Sequence, residues 1–307
     1  MLIASSALAQ TEGDSVDSGA PLTQESTVQN QGQAMQNDGN AVSFQLVRVK
    51  YPPDIACITR TGKIKVAIYG GGERPPFFMR DKDGELVGID VDLARDIAEK
   101  FGAVPDFNFT AGSYDELVEL VASGQAHIGI SKLSLTLERA KKVLYSKPYV
   151  HMGKAILVNA LQLEKFRKGS KDTVRDIFNQ PGVKIGVIDK SSYVEFAKRL
   201  FPEAEVVPMD SWDSDIIPKV LSGEITAAFR DEWETRQIID KTPDATLKLQ
   251  NFVITGEQDP ISMIFPWGSN LREWVNHFID ITHRQYDIRD LMDRNKKFEA
   301  SIEGGEQ

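Results

Sequence analysis

From Ser131 to Arg139 the chain reads Ser–Lys–Leu–Ser–Leu–Thr–Leu–Glu–Arg, its densest polar segment, directly after the apolar run Ala126–Ile130. A strand end that opens into hydroxyls and a guanidinium is where an open α/β sheet meets an anionic ligand. Arg139 offers a planar fork that pairs both oxygens of a carboxylate, and Ser134 can donate beside it. A second reading stands next to this one, in which Thr136 caps a short helix and Arg139 is a solvated first-turn residue. Spacing alone does not separate the two.

Other chemistries find few parts. Cys57 is the only cysteine and the four histidines are scattered, so neither an internal disulfide nor a zinc cluster can be spelled. No Ser-His-Asp or Cys-His arrangement is legible, and no cofactor is expected. Gly70–Gly71–Gly72 invites a phosphate-loop reading, but Glu73, Arg74, Pro75 and Pro76 follow. A double proline does not open the helix whose amides would hold a phosphate. The net charge of −9 argues against a nucleic-acid partner, which needs clustered cations.

The elements that must position these residues come in two copies. Ile64–Ile68 and Lys184–Ile188 are short apolar runs, each soon followed by an amphipathic helix. In each half an aromatic–Asp pair, Tyr114–Asp115 or Trp212–Asp213, opens a further helix that ends in Ser–Gly and leads into Ala126–Ile130 or Ile225–Phe229. Two like β-α designs far apart in sequence imply two similar lobes with a cleft between them. Asp81–Gly84 reads as a hairpin turn, and Asp90 as the cap of a helix through about Phe101. Lys154–Val158 is the first crossing into the second lobe, and Asp259–Pro260 with Ile261–Phe265 the return. Amphipathic helices over about 271–283 and 288–298 close the chain. The expected division is a leader over 1–9, a polar disordered tether over 10–58, lobe 1 over 59–154 plus 258–307, and lobe 2 over 155–257.

Leu86–Ala94, Ser134–Arg139 and Tyr145–Ser146–Lys147–Pro148–Tyr149 together resemble the signature of bacterial extracellular solute-binding proteins for polar amino acids, family 3. The likeness covers about residues 60–298. It implies an α/β, two-lobe periplasmic-binding-protein-like fold of type II, with a cleft and two hinge crossings. It also implies a monomer, exported to the periplasm, that captures a small polar amino acid or related zwitterion and delivers it to the membrane permease of an ABC importer. By motif match Arg139 would pair the ligand α-carboxylate with Ser134 in support. Ser191 or Ser192 would add a hydroxyl, Asp231 would receive the α-ammonium, and Tyr114 would wall the pocket. Two positions depart from the pattern. Arg74 stands where the family usually has an aromatic, and Lys132 where it has a small or hydroxyl residue. Two cations there would favour an acidic or polar neutral ligand, unless Glu73 and Asp115 neutralise them. The chain resembles less closely the cyclohexadienyl dehydratases of the same fold, whose general acid falls at Glu234. Their Gly–Gly–Thr–Asn-like turn is replaced here by Asp189–Lys190–Ser191–Ser192, and the expectation is a binding protein, not an enzyme. A ligand-sensing module on the same fold is the third class.

Overall fold

Pro53 at the first helical position, Asp54 in the first turn and Gly62 in the left-handed region after the last start and stop a helix, α1 (Pro53–Thr61). A computed structural model of the chain describes residues 50–242 and 245–303. The leader expected over 1–9 and most of the expected tether lie outside them. The end of the tether needs correction, because α1 occupies residues 53–61 and buries Ile55 and Ile58 in the first lobe's core. Folded chain therefore begins before residue 59.

The first lobe continues with β1 (Lys63–Tyr69), the hairpin β2 (Met79–Arg80) and β3 (Leu86–Val87), α2 (Ile89–Lys100) and β4 (Val104–Ala111). Then come α3 (Tyr114–Ala122), β5 (Ile128–Gly129), α4 (Leu137–Ala140) and β6 (Leu144–Tyr145). β7 (Val150–Asn159) leads into α5 (Ala160–Phe166), α6 (Val174–Phe178), β8 (Lys184–Ile188), α7 (Ser192–Leu200) and β9 (Glu205–Met209). A π-helical turn (Trp212–Ile216), α8 (Ile217–Ser222), β10 (Ala227–Asp231), α9 (Glu232–Lys241) and α10 (Ala245–Lys248) follow. β11 (Leu249–Ile261) and β12 (Ile264–Phe265) lead back to α11 (Leu271–Thr282) and α12 (Ile288–Glu303).

The two sheets repeat one pattern. In the first, β4, β1 and β5 run parallel and β12 joins β5 antiparallel, with β6 beyond it. In the second, β9, β8 and β10 run parallel and β7 joins β10 antiparallel, with β11 beyond it. The crossing β7 is itself the antiparallel strand of the second sheet, the crossing β11 leads back to β12, and β7 and β11 pair with each other. Their ladder is interrupted between Val253 and Gln258.

Two local expectations are corrected. Asp90 does not cap α2, because Gly88 does, at φ 125° and so close to the Phe77 carbonyl that a Cβ would lie 2.4 Å from it. Asp90 instead sits fully buried inside the first turn. The single helix expected from Trp212 opens as a π turn, since Pro218 lacks the amide that would continue a regular ladder.

Candidate functional site

Where the lobes meet, a small cavity of about 30 Å³ gathers Tyr114, Lys132, Ser134, Arg139, Ser191, Ser192 and Asp231. Arg74, the remaining expected residue, lines an adjoining open cleft of about 850 Å³, into which Tyr114 also faces. The small cavity has room for about two waters.

The 131–139 segment has the helix cap of the second reading but not its solvated arginine. Thr136 Oγ1 accepts from the Arg139 amide at 3.2 Å and caps α4, yet the Arg139 side chain is buried. Its Nη2 lies 3.4 Å from Asp115 Oδ1, a carboxylate that is itself well exposed, and its guanidinium is 5.9 Å from the Tyr114 ring centre. Tyr114 in turn stacks on Tyr69 at 4.7 Å. Arg74 Nη1 donates to the Glu73 carbonyl at 2.6 Å, and its guanidinium sits over the Tyr69 ring. Ser191 is committed to the start of α7: its Oγ donates to the Ile188 carbonyl and accepts from the Tyr193 amide. The buried Ser192 is the serine of the pair left to face the cavity.

Lys132 is not the free cation expected. Its backbone stands at φ 49°, a left-handed conformation rare for lysine, and its amide donates to Asp90 Oδ2 at 2.8 Å. Asp90 also accepts from the Tyr149 hydroxyl at 2.7 Å. Burial pushes its carboxyl up to about 7 against these two bonds. So fixed, Lys132 reaches across the lobe junction. Its Nζ lies 2.6 Å from Glu234 Oε1 and 3.0 Å from Asp231 Oδ2. Arg230 completes the cluster at 3.4 Å from Glu234 and 3.8 Å from Asp231. Two cations thus face two carboxylates. Burial would pull the Lys132 ammonium down, but Asp231 and Glu234 outweigh it and hold it above its usual range. Burial would likewise raise Glu234, but Arg230 and Lys132 hold it at about 2. Lys132 is therefore neutralised by Asp231 and Glu234, not by Glu73 or Asp115.

Sequence reasoning missed Asp259 as a site residue. It is buried beside Ser134 in the small cavity. Its Oδ2 accepts from the Tyr193 hydroxyl at 2.7 Å and from Ser134 Oγ at 3.1 Å, whereas its Oδ1 is buried without a hydrogen-bond partner among the described residues. Burial first, and the charge of Asp231 second, push its carboxyl up to about 6. The only signal in the sequence is an aspartate placed at the start of the apolar run Ile261–Phe265.

Comparison with known proteins bears out the resemblance read from the motifs. Residues 64–181 match the sequence model of bacterial extracellular solute-binding proteins, family 3. The chain is 26% identical over 164 residues to ABC transporter arginine-binding protein 1 of Escherichia coli (strain K12), covering 52% of this chain and 62% of that protein. It is 27% identical over 179 residues to the cyclohexadienyl dehydratase of Pseudomonas aeruginosa, covering 58% and 63%. Against these curated relatives it spans about three-fifths of their length. Among solved structures, an amino acid ABC transporter substrate-binding protein from Streptococcus pneumoniae bound to L-arginine matches with a TM-score of 0.61 and 25% identity, over 80% of this chain and 99% of that one.

Proposed function

We propose that this chain is an extracytoplasmic binding protein that captures a small polar amino acid or a related compound between its two lobes and delivers it to the permease of an ABC importer. The observation that carries this reading is the meeting of Arg139 and Ser134 with the carboxyls of Asp231 and Asp259 in one buried cavity at the lobe junction. A carboxylate and an ammonium on one carbon need a donor fork and an acceptor within a few ångströms of each other. Ser192 adds a hydroxyl, and Tyr114 and Arg74 border the ligand's side chain. The lobes divide in this reading as residues 59–154 plus 258–307 and residues 155–257, with α1 added to the first, and the protein acts in the periplasm as a monomer. The relatives named for arginine binding and the structure bound to L-arginine support the ligand class. With Lys132 paired, they also weaken the expected bias against basic ligands.

Catalysis of the dehydratase kind is not part of the proposal. A general acid must hold its proton near neutral pH, and a carboxyl kept at about 2 by Arg230 and Lys132 does not. Calorimetry and thermal shift with the twenty common L-amino acids test binding, and incubation with prephenate and arogenate tests turnover. Saturable binding without turnover is expected. Aromatic product formation that disappears in Glu234→Gln would replace the binding reading with an enzymatic one.

A further inference from the structure

Two carboxyls line the cavity, Asp231 and Asp259, and they differ in what they already touch. Asp231 is closed into the cluster with Lys132, Arg230 and Glu234, which balances its own charge. Its principal partner cannot leave at little cost. Lys132 is nearly buried, its backbone is pinned by Asp90, and its departure would leave two buried carboxylates to Arg230 alone.

Asp259 has no ion pair of that kind among the described residues: Tyr193 and Ser134 both donate to Oδ2, and Oδ1 has no hydrogen-bond partner there. The lysine beside it, Lys154, favours the charged form of Asp259 only through space, and donates its own hydrogen bond to the Gln258 carbonyl, 3.6 Å from Glu257 and over the Phe196 ring. An unpaired carboxylate oxygen in a buried polar cavity is costly unless something supplies a donor. Among the described residues that line the cavity, what remains incompletely paired is Arg139, whose contact with Asp115 is long and exposed, and Asp259 at Oδ1.

These two belong to neighbouring backbone. Leu135 donates its amide to the Pro260 carbonyl at 3.1 Å, and Ser262 donates to Leu133 at 3.0 Å, so the Asp259 segment lies alongside the one that carries Ser134 and leads to Arg139. We propose that Asp259, not Asp231, receives the α-ammonium of the bound ligand, and that Asp231 serves with Lys132 to join the lobes. The assignment rests on the amino-acid-binding reading and names its ligand class as compounds that carry a primary ammonium next to a carboxylate.

The test uses the full chain and calorimetry with the twenty L-amino acids as probes. The best binder is then compared with its α-deaminated acid on the wild type, Asp259→Asn, Asp231→Asn and Lys132→Met. The wild type should prefer the amino acid by roughly 10- to 100-fold, the worth of one charge-assisted hydrogen bond. Asp259→Asn should lose that preference while still binding the deaminated acid, which reports that it is folded. Asp231→Asn and Lys132→Met should change both affinities together. If Asp259→Asn keeps the preference, or if Lys132→Met, which frees Asp231, raises it by tenfold or more, the acceptor is Asp231 and the proposal is overturned. Equal or better wild-type binding of the deaminated acid overturns it as well, leaving the binding-protein reading intact. Absence of binding by any of the twenty probes removes that reading and the assignment with it.

Discussion

Arg139 and Asp259 illustrate how differently two site residues can announce themselves. Arg139 was legible as a candidate because the cap Thr136 and the hydroxyl Ser134 lie with it in one short segment. Asp259 was not, because its two donors come from Ser134 and Tyr193, which stand 125 and 66 residues away. Replacing Arg139 with Ala should weaken ligand binding by about 2 to 5 kcal/mol, since the ligand carboxylate would be left buried without its fork. Calorimetry reads this directly, and an unchanged affinity would return Arg139 to a purely structural role beside its cap.

Asp259 gives the site a pH dependence with a definite sign. Around it stand Tyr193 on α7, Lys154 on β7, Asp231 on β10, Tyr145 on β6, and Ser134. Its carboxyl titrates at about 6, above the ordinary 3.8, so in the empty protein it binds its proton more tightly than the unfolded chain does. Its contribution to stability is therefore greatest below the ordinary value and is lost as pH rises toward 6. A ligand ammonium needs the ionised form. Affinity should consequently hold above pH 6 and fall by up to about tenfold per pH unit below it. Calorimetry across that range should show the slope in the wild type and not in Asp259→Asn.

At the scale of elements, periodicity and punctuation placed most of the fold. The paired β-α units, the hairpin and the two C-terminal helices all follow from local pattern. What escaped were places where a distant contact overrides a local preference. A segment next to a polar stretch read as tether, yet Pro53–Thr61 is a helix because Ile55 and Ile58 find the first lobe's core. Its Asp54 then caps an element more than two hundred residues away, accepting from the Asn270 and Leu271 amides at 2.7 and 2.9 Å and from Ser269 Oγ at 3.1 Å. Asp54→Ala should cost roughly 1 kcal/mol, in the range of a lost helix cap. Burial opposes ionisation, but these bonds together hold the Asp54 carboxyl below its ordinary value. The contribution is thus present above pH 3.8 and lost as pH falls through the lowered value. Denaturant melts of the two proteins should differ near neutral pH and converge in acid.

The whole molecule is organised around a junction that the sequence hid almost completely, because nothing local tells a lysine at 132 that its partners are at 231 and 234. Lys132 belongs to the lobe of the first sheet, and Asp231, Glu234 and Arg230 to the lobe of the second. Trp233, carried by α9 of the second lobe, is buried in the first lobe's core cluster and donates to the Pro75 carbonyl at 3.0 Å. The crossings that join the lobes are weakest as a ladder between Val253 and Gln258, where the register shifts and Gly256 takes φ 80°. A bulge of that kind is a place for strands to bend. On the proposed binding reading, lobe closure is a balance between bending there and the cross-lobe contacts of Lys132 and Trp233. Lys132→Met removes the charged contact and leaves Asp231 and Glu234 facing each other with one cation, a cost of about 3 to 5 kcal/mol for a broken buried pair that opening to water would relieve. Small-angle scattering of the ligand-free variant should therefore give a larger radius of gyration than the wild type, with added ligand drawing it partly back. An identical profile in wild type and variant would mean that Trp233 and the packing around it hold the lobes without help from the charges, and that the Lys132 cluster serves only to shape the cavity wall.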